Sequence, residues 1–411
     1  MLNLFFDSDC PWFLINYETG DQRFGSYGGR NIVHPNIANF IHPLVKLVSQ
    51  IPPAFHLDPA QGRVKEIAIS VAPTFAAIRS SFLFLALSAV GFSIFDALLL
   101  TALSIVSFSG MLFGALPESF GISGALFAFA FYLLAMTIRQ ARFERISWLI
   151  AATLMFGTTI TNVVPFTFLM AVAHFSQTKN FRQTIRQLTV ILASAGSITA
   201  FFFIVLTALH GSFRGTGLRH IGQMEEIRVS GKSAVILFPK ALLSTIIPPE
   251  PHKLLGRSED GDLKGEAPSN DIRVRRFTYR DDLDKIIQDV PTLTGVIRGK
   301  ADFFRNIVVA LLYLLSFFIS LFSFSRLTSG IRIFVISAWS QILFHWTFHS
   351  FFGNELFLYS QHWLIPLVIV MGVGLTARFR LAWLARSVIA ILVVGAIVQN
   401  TSVFQLILTS R

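Results

Sequence analysis

Residues 119–138 read SFGISGALFAFAFYLLAMTI and contain no charged side chain. An α-helix rises about 1.5 Å per residue, so about 20 apolar residues cross the hydrocarbon core of a bilayer. The stretch therefore predicts a membrane-spanning helix. Phenylalanine, which occurs 43 times in the chain, suits a lipid-facing surface and an apolar groove equally well.

Further apolar segments flank this one on both sides and were identified by their length and lack of charge. They cover residues 69–91, 95–114, 146–175, 187–209, 304–325, 331–352, 355–377 and 384–407. The chain of 411 residues is 53% hydrophobic and 14% charged, whereas a soluble domain carries about 25% charged residues. We therefore expect an all-α polytopic membrane protein with about ten membrane segments.

The segment at 146–175 is too long for one ordinary span. It is interrupted by GTTITN at 157–162 and by Pro165, so we predict two short helices that form a hairpin. Broken helices are tolerated at membrane depth where they line a cavity. With the hairpin, the basic clusters at 139–145, 179–186, 326–332 and 378–386 fall on one face, in agreement with the positive-inside tendency. This explains the net charge of +11 without a nucleic-acid partner.

Polar blocks divide the chain into four parts. Residues 1–65 are predicted to form an outer loop, 66–209 a first helical part, 210–303 an outer polar block and 304–411 a second helical part. Within the third part, an apolar, proline-rich stretch at 234–251 either lies at the interface or re-enters the membrane. Residues 1–6 are too short for a signal peptide, and we expect a first membrane helix upstream of Met1.

Asp7 and Asp9 stand where an apolar segment would leave the membrane on the outer face. Ionisable groups at such a depth are costly and tend to be functional. A carboxylate there can act as a general base on a substrate hydroxyl. The alternative is a pair of turn-forming or helix-flanking aspartates.

Other polar residues fall on the same predicted face. Glu118 lies in a turn between two helices, where an acid also stabilises the following helix dipole. His34 and His42 each precede a proline and could equally form rigid turns. Glu355, Tyr359 and His362 share a helix face at i, i+4 and i+7. Tyr359 and Trp363 suit an aromatic belt at the interface, whereas Glu355 and His362 must face protein or water.

Several of these motifs resemble the GT-C superfamily, in particular the protein mannosyltransferase and aminoarabinose transferase group and bacterial relatives. The resemblance rests on the acidic motif Asp7-Ser8-Asp9, on the His-Pro-Leu at 42–44 and on the Pro-Glu-Ser-Phe turn at 117–120. The stretches at 157–162 and 357–363 are also similar to those of bacterial members. The chain departs from the pattern in its Asp-Ser-Asp motif, where Asp-Glu is frequent, which leaves open whether Asp7 or Asp9 is the base.

The resemblance implies an inverting glycosyltransferase of the cell envelope that uses a polyprenyl-phosphate sugar donor. Asp7 or Asp9 would deprotonate a hydroxyl of a lipid, glycan or protein acceptor, with Glu118 as a third catalytic candidate. The substrate-binding candidates are Arg30, His34, His42, Lys240, Glu355, Tyr359 and His362. No cofactor is implied with certainty, and a divalent cation, Mg²⁺ or Mn²⁺, could bridge carboxylate and phosphate. The expected location is the bacterial cytoplasmic (inner) membrane, with the active site facing outward.

Two other functions stay open. A transporter or flippase of an amphipathic, lipid-linked substrate should carry ionisable residues within its spans. Arg79 and Asp96 are assigned to span ends, so His345 and His349 are its best central candidates. A non-catalytic assembly protein would use the mixed-charge block at 210–303 to bind a partner.

Overall fold

The computed structural model describes residues 41, 44, 47–48, 62–116, 119–210, 242, 245–246, 300–351, 359–376 and 382–409. These residues form helices and short connections, and no strand occurs among them. The all-α prediction is therefore confirmed over the described parts of the chain.

Twelve α-helices and two 3₁₀ turns make up the described ranges. The first six helices are α1 (Gly62–Val90), α2 (Ile94–Val106), α3 (Phe108–Ala115), α4 (Ser119–Gln140), α5 (Arg145–Thr158) and α6 (Val163–Thr178), with a 3₁₀ turn at Ile160–Asn162 between α5 and α6. The others are α7 (Phe181–His210), α8 (Lys300–Ser323), α9 (Ser329–Phe351), α10 (Ser360–Met371), α11 (Val373–Thr376) and α12 (Ala382–Thr409), with a 3₁₀ turn at Phe324–Arg326.

Five of these helices are long and apolar enough to cross a membrane, and a bent pair raises the number to six. The five apolar stretches lie at Ile69–Val90, Ser119–Gln140, Phe181–Phe202, Val308–Arg326 and Ala382–Ser402. These are the helices of an integral membrane protein. The larger number of about ten segments remains a prediction from hydropathy.

The bent pair replaces the single segment predicted at 95–114. α2 and α3 meet at an angle of 63°, and Ser107 ends the first helix and begins the second. Its backbone N–H donates to the carbonyl of Leu103 at 3.0 Å, and its hydroxyl accepts from the N–H of Gly110 at 3.0 Å. One serine therefore satisfies backbone groups of both helices, which lowers the free-energy cost of the bend inside an apolar bundle.

The stretch at 146–175 folds as two helices, α5 and α6, that both pack against α4. Near the start of α4, Ser123 hydrogen-bonds Thr159 at 3.2 Å. Near its end, the amide of Gln177 donates to the carbonyl of Thr137 at 3.3 Å. The pair therefore runs along α4 towards Ser119, turns at Ile160–Asn162 and returns. We call the two ends of the bundle the Ser119 end and the Gln140 end.

Ring contacts give the directions of two further helices. Phe82 of α1 lies 4.8 Å from Phe129 of α4 between ring centroids, and Arg79 lies beside Gly124, so α1 runs parallel to α4. Phe131 of α4 contacts Phe334 of α9 at 5.4 Å, and the earlier Phe127 contacts the later His345 at 5.9 Å, so α9 runs antiparallel to α4. The C-terminal end of α9 therefore lies at the Ser119 end.

Basic side chains collect at the Gln140 end. Helices α5, α7, α9 and α12 all begin there, and their first two turns carry Arg145, Arg182, Arg332 and Arg386. The guanidinium of Arg386 forms two hydrogen bonds, of 2.8 and 3.0 Å, with the carboxylate of Asp96 in the first turn of α2. Such a one-sided distribution of basic residues is the asymmetry typical of polytopic membrane proteins.

The ion pair between Asp96 and Arg386 links α2 to α12. Removing one partner should cost more stability than removing the other, because the Asp96 side chain is 3% exposed and that of Arg386 is 42% exposed. We expect Arg386→Ala to lower the free energy of unfolding by about 1–3 kcal/mol, since the buried carboxylate loses its charged partner and keeps only the hydroxyl of Ser93, at 2.6 Å, as a side-chain donor. Asp96→Ala should cost only about 0.5–1 kcal/mol, because the arginine regains water. Unfolding in mixed detergent micelles measures both, and equal losses would contradict the asymmetry.

Candidate functional site

Buried polar side chains concentrate at the Ser119 end, where several helix ends meet. Helices α4 and α10 begin there, α9 ends there, and the turn between α5 and α6 lies beside them. Because polar groups inside a membrane bundle are costly, such a concentration marks a functional site more often than a structural one.

Three histidines form the centre of this region and are called the histidine cluster. His345 and His349 come from the last two turns of α9, and His362 comes from the first turn of α10. Their exposed fractions are 1%, 3% and 1%. One ring nitrogen from each lies within 4.8 Å of those of the other two. The cluster can therefore hold a small ion or a polar group between the rings.

Aromatic rings surround the histidine cluster. His349 lies close to Tyr359, with 4.2 Å between the centroids of the two tilted rings, and His345 meets Phe127 edge-on at 5.9 Å. Further contacts with the cluster come from Phe120, Phe344, Phe348 and Trp363. Such a shell limits access of water and lowers the local dielectric, which strengthens polar interactions inside it.

The turn between α5 and α6 reaches the cluster through Asn162. Its amide nitrogen lies 3.2 Å from Nε2 of His362, although the two are 200 residues apart in sequence. Asn162 is 1% exposed. The contact fixes the orientation of the His362 ring, whose tautomer depends on which end of the Asn162 amide faces it.

A second buried network adjoins the cluster through Gln361. The Oε1 atom of Gln361 accepts a hydrogen bond from the guanidinium of Arg79, and its amide group donates to the carbonyl and hydroxyl of Ser109 at 2.8 and 2.6 Å. Ser109 and Ser360 share a further hydrogen bond of 2.6 Å. A Cβ atom at Gly124 would stand 2.8 Å from Oε1 of Gln361, so the glycine makes room for this side chain.

Arg79 is assigned to a span end by the sequence, and this placement is wrong. It lies midway along the apolar stretch Ile69–Val90 and is 1% exposed. Within the described ranges it has no ion-pair partner, and its Nε atom has no hydrogen-bond partner. A buried guanidinium without a carboxylate favours a bound anion.

Three helix N-termini add to this positive potential. Helices α4, α6 and α10 begin at Ser119, Val163 and Ser360, and their first residues border the buried polar networks. Unpaired N–H groups give a helix N-terminus a partial positive charge that favours anions. The C-termini of α5 and α9 lie at the same end and offset part of this charge. The buried guanidinium of Arg79 is therefore the group that most favours an anion such as a phosphate close to the histidine cluster.

A groove of about 440 Å³ between α5 and α7 lies at the opposite end of the bundle. It is lined by Arg145, Arg186 and apolar side chains including Leu149 and Val190. Of the residues proposed from the sequence, the two that the structure describes, Tyr359 and His362, do not border it. The groove is therefore separate from the histidine cluster.

Comparisons with protein-family models, with curated proteins and with solved structures give no match to this chain. The likeness to the GT-C superfamily therefore rests on the motifs alone. Three of those motifs contain described residues that belong to the histidine cluster or lie beside it. These residues are Phe120, Asn162, Tyr359 and His362. The Phe120 ring lies 5.5 Å from that of Tyr359 and 5.9 Å from that of His362.

Of the residues proposed from the sequence, Tyr359 and His362 lie in this region. Their ring centroids are 5.7 Å apart, and Tyr359 is the N-cap residue of α10. The remaining proposed residues lie outside the described residues: Asp7, Asp9, Arg30, His34, His42, Glu118, Lys240 and Glu355. Their positions therefore remain predictions.

The aromatic-belt interpretation is wrong for Trp363. Its ring is fully buried, and its indole N–H donates to the hydroxyl of Thr245 at 2.9 Å. Thr245 and Ile246 belong to the apolar stretch at 234–251 and are themselves buried. The carbonyl of Ile246 also accepts from Asn400 of α12 at 3.4 Å. These two residues of the stretch therefore pack inside the bundle.

Sequence reasoning did not assign four of the residues that build the site: Arg79, Asn162, His345 and His349. The histidines were considered only as features of a transporter, although their spacing of four residues puts both on one helix face. Asn162 contributed only to a motif. Arg79 does have a sequence signal, because it stands near the middle of the predicted segment at 69–91 and an ionisable residue at that depth is costly and tends to be functional.

Proposed function

We propose that this protein is a membrane glycosyltransferase that takes a sugar from a polyprenyl-phosphate donor. The observation that carries the proposal is the convergence of three motifs, distant in sequence, on one buried polar region through Phe120, Asn162 and His362. Each motif was singled out for its likeness to one superfamily of lipid-dependent glycosyltransferases.

The charges of the region support a phosphate-bearing donor. Arg79 supplies a buried guanidinium, and the N-termini of α4, α6 and α10 add partial positive charge. Donors directed at the leaving phosphate stabilise the charge that develops as its bond to the sugar breaks. Lipid-facing side chains on the apolar helices offer contacts for the isoprenoid chain, for example Leu98, Ile105 and Phe318, which are exposed.

The reaction needs a base, which we assign to Asp7 or Asp9. The carboxylate takes the proton of an acceptor hydroxyl, and the hydroxyl oxygen attacks the anomeric carbon. The bond between this carbon and the phosphate oxygen breaks, and the sugar changes its anomeric configuration. Glu118 directly precedes Ser119, the first residue of α4, so we propose that it contacts the sugar or the acceptor.

The sidedness of the reaction follows from the basic residues. We propose that the Gln140 end faces the cytoplasm, because Arg145, Arg182, Arg332 and Arg386 collect there. The histidine cluster then lies near the outer face, which in a bacterium is the periplasmic side of the cytoplasmic membrane. Ile41, the residue before His42, packs against the core of the bundle, so the N-terminal block contacts the helices at that residue.

The experiment that tests the function is donor consumption by the purified full chain in proteoliposomes. We expect radiolabelled polyprenyl-phosphate sugars, offered with a crude envelope fraction as acceptor source, to lose label from the carrier. Asn162→Ala should reduce the loss of label from the carrier, because it removes the contact that orients the His362 ring. Asn180→Ala changes an asparagine at the opposite end of the bundle and should leave the loss of label unchanged. A donor that stays intact under all conditions would contradict the proposal.

Transport of a lipid-linked substrate is a second candidate, favoured by Arg79 midway along its apolar stretch and by the buried His345. The two functions differ in what happens to the substrate. A flippase moves a fluorescent polyprenyl phosphate between leaflets without changing it, while a transferase releases the sugar. Accessibility of the probe to a membrane-impermeant quencher, measured beside sugar release, separates them.

A further inference from the structure

His345 and His349 stand one above the other on α9. Positions four apart on a helix place side chains on the same face, and two histidines at this spacing recur in zinc sites. Their ring centroids are 5.7 Å apart, and that of His362 lies 5.4 Å from that of His345. The imidazole of His362, from the neighbouring helix α10, therefore completes a set of three ligands.

The distances suit a metal ion after small side-chain rotations. In a tetrahedral site with zinc–nitrogen bonds of about 2.0–2.1 Å, ligand nitrogens lie about 3.3 Å apart. The corresponding atoms of the histidine cluster all lie within 4.8 Å of one another. Rotation about the side-chain torsions of the three residues can close this difference without moving a helix.

The lack of hydrogen bonds at His345 also favours a metal ion. Neither ring nitrogen of His345 has a hydrogen-bond partner among the residues that the structure describes, although the side chain is 1% exposed. A buried imidazole without partners is costly. A bound cation would satisfy one of these nitrogens directly.

Asn162 supplies the orienting contact that metal-binding histidines usually have. Its amide nitrogen lies 3.2 Å from Nε2 of His362. With the amide oxygen and nitrogen exchanged, an assignment that leaves the shape of the side chain unchanged, the oxygen accepts a hydrogen bond from Nε2–H. This choice leaves Nδ1 of His362 as the ligand nitrogen. Such contacts fix the tautomer and the ring orientation of a ligand before the metal binds.

We propose that His345, His349 and His362 form a binding site for a divalent transition-metal ion, with Zn²⁺ as the best match. Imidazole nitrogens suit zinc, copper, iron or nickel, whereas Mg²⁺ and Ca²⁺ select oxygen ligands. Three protein ligands leave one position open for a further ligand, as in catalytic zinc sites. The inference does not depend on the reaction proposed above, because it concerns binding of the ion alone.

Metal content of the purified full chain tests the site. The protein carries a tag without histidine, is stripped with a chelator, incubated with Zn²⁺ in the presence of excess Mg²⁺ and washed. We expect about one zinc ion per chain by elemental analysis, and a loss of zinc affinity of at least about tenfold in His345→Ala and His349→Ala. Asn162→Ala should lower the affinity about 10–100-fold while leaving all three ligands in place.

His174→Ala is the matched control. His174 is also a buried helical histidine, but its Nδ1 atom lies 2.9 Å from the hydroxyl of Thr184, at the Gln140 end. This variant should bind zinc like the unmodified protein. Wild-type protein without stoichiometric zinc, or cluster variants that bind it as tightly as His174→Ala does, would overturn the proposal.

A cobalt spectrum of the unmodified protein covers the case in which a histidine variant fails to fold. Co²⁺ in a tetrahedral imidazole site gives strong visible absorption, whereas octahedral Co²⁺ on surface groups absorbs weakly. We expect the strong spectrum, its loss on adding Zn²⁺ and its persistence in His174→Ala. A weak octahedral spectrum would overturn the proposal without the use of any cluster variant.

Discussion

Asparagine in place of one of the two carboxylates Asp7 and Asp9 should lower the rate of glycosyl transfer by about 10²–10⁴-fold. The amide has nearly the same shape as the carboxylate but does not take up a proton at neutral pH. The acceptor hydroxyl would then attack without a base. The measurement is the initial rate of label transfer from the polyprenyl-phosphate sugar in proteoliposomes, with Asp7→Asn and Asp9→Asn prepared side by side.

The control for this experiment is Asp21→Asn, which removes an acid from the same N-terminal block. It should leave the rate unchanged. Insertion into the membrane and binding of the donor are measured for every variant, so that loss of the base is separated from loss of the protein. If both Asp7→Asn and Asp9→Asn transfer sugar at the normal rate, the assignment of the base is wrong. The transport function then becomes the better explanation.

Removal of the buried guanidinium should have the second large effect. We expect Arg79→Gln to lower kcat/KM for the lipid-phosphate donor by about 10²–10³-fold, the range found when one donor to a developing negative charge is lost. Glutamine keeps a hydrogen-bond donor near Gln361 but carries no charge. The kcat/KM of Arg79→Lys should lie between those of the unmodified protein and of Arg79→Gln, because lysine keeps the charge and loses the planar fork that matches a phosphate.

Arg332→Gln is the matched control for charge removal from a helix. The guanidinium of Arg332 donates to the carbonyls of Ser325 and Leu327, at 3.3 and 3.2 Å, at the Gln140 end. Its loss should change donor kinetics by less than about twofold, since it lies far from the leaving phosphate. Thermal unfolding of Arg79→Gln shows whether the bundle stays intact. An intact Arg79→Gln variant with normal kcat/KM would exclude a role in phosphate binding.

Much of the helical layout could be predicted from hydropathy alone. The apolar segments at 119–138, 304–325 and 384–407 correspond to α4, α8 and α12, which begin and end within a few residues of the expected positions. Hydropathy succeeds here because a segment in lipid must satisfy its own backbone hydrogen bonds, which leaves the helix as the natural choice. It failed at Ser107, where a side chain satisfies the backbone and permits a bend of 63°.

Part of the candidate site was also accessible from sequence. Tyr359 and His362 are predicted to share a helix face with Glu355, and His362 must face protein or water. In the structure His362 belongs to the histidine cluster, and Tyr359 lies against it. Trp363 was misassigned because an aromatic-belt residue and a buried one have the same sequence signature. Its indole N–H finds a partner in Thr245, which is more than 100 residues away in the chain.

Hydropathy and the positions of the basic residues suffice to predict an all-α membrane protein with an uneven charge distribution, because both properties follow from local composition and the cost of charge in lipid. The meeting of particular polar residues depends instead on helix packing. Arg79 reaches Gln361 across 282 positions, and Asn162 reaches His362 across 200. Such contacts arise from the directions in which the helices pack, and no local pattern carries that information.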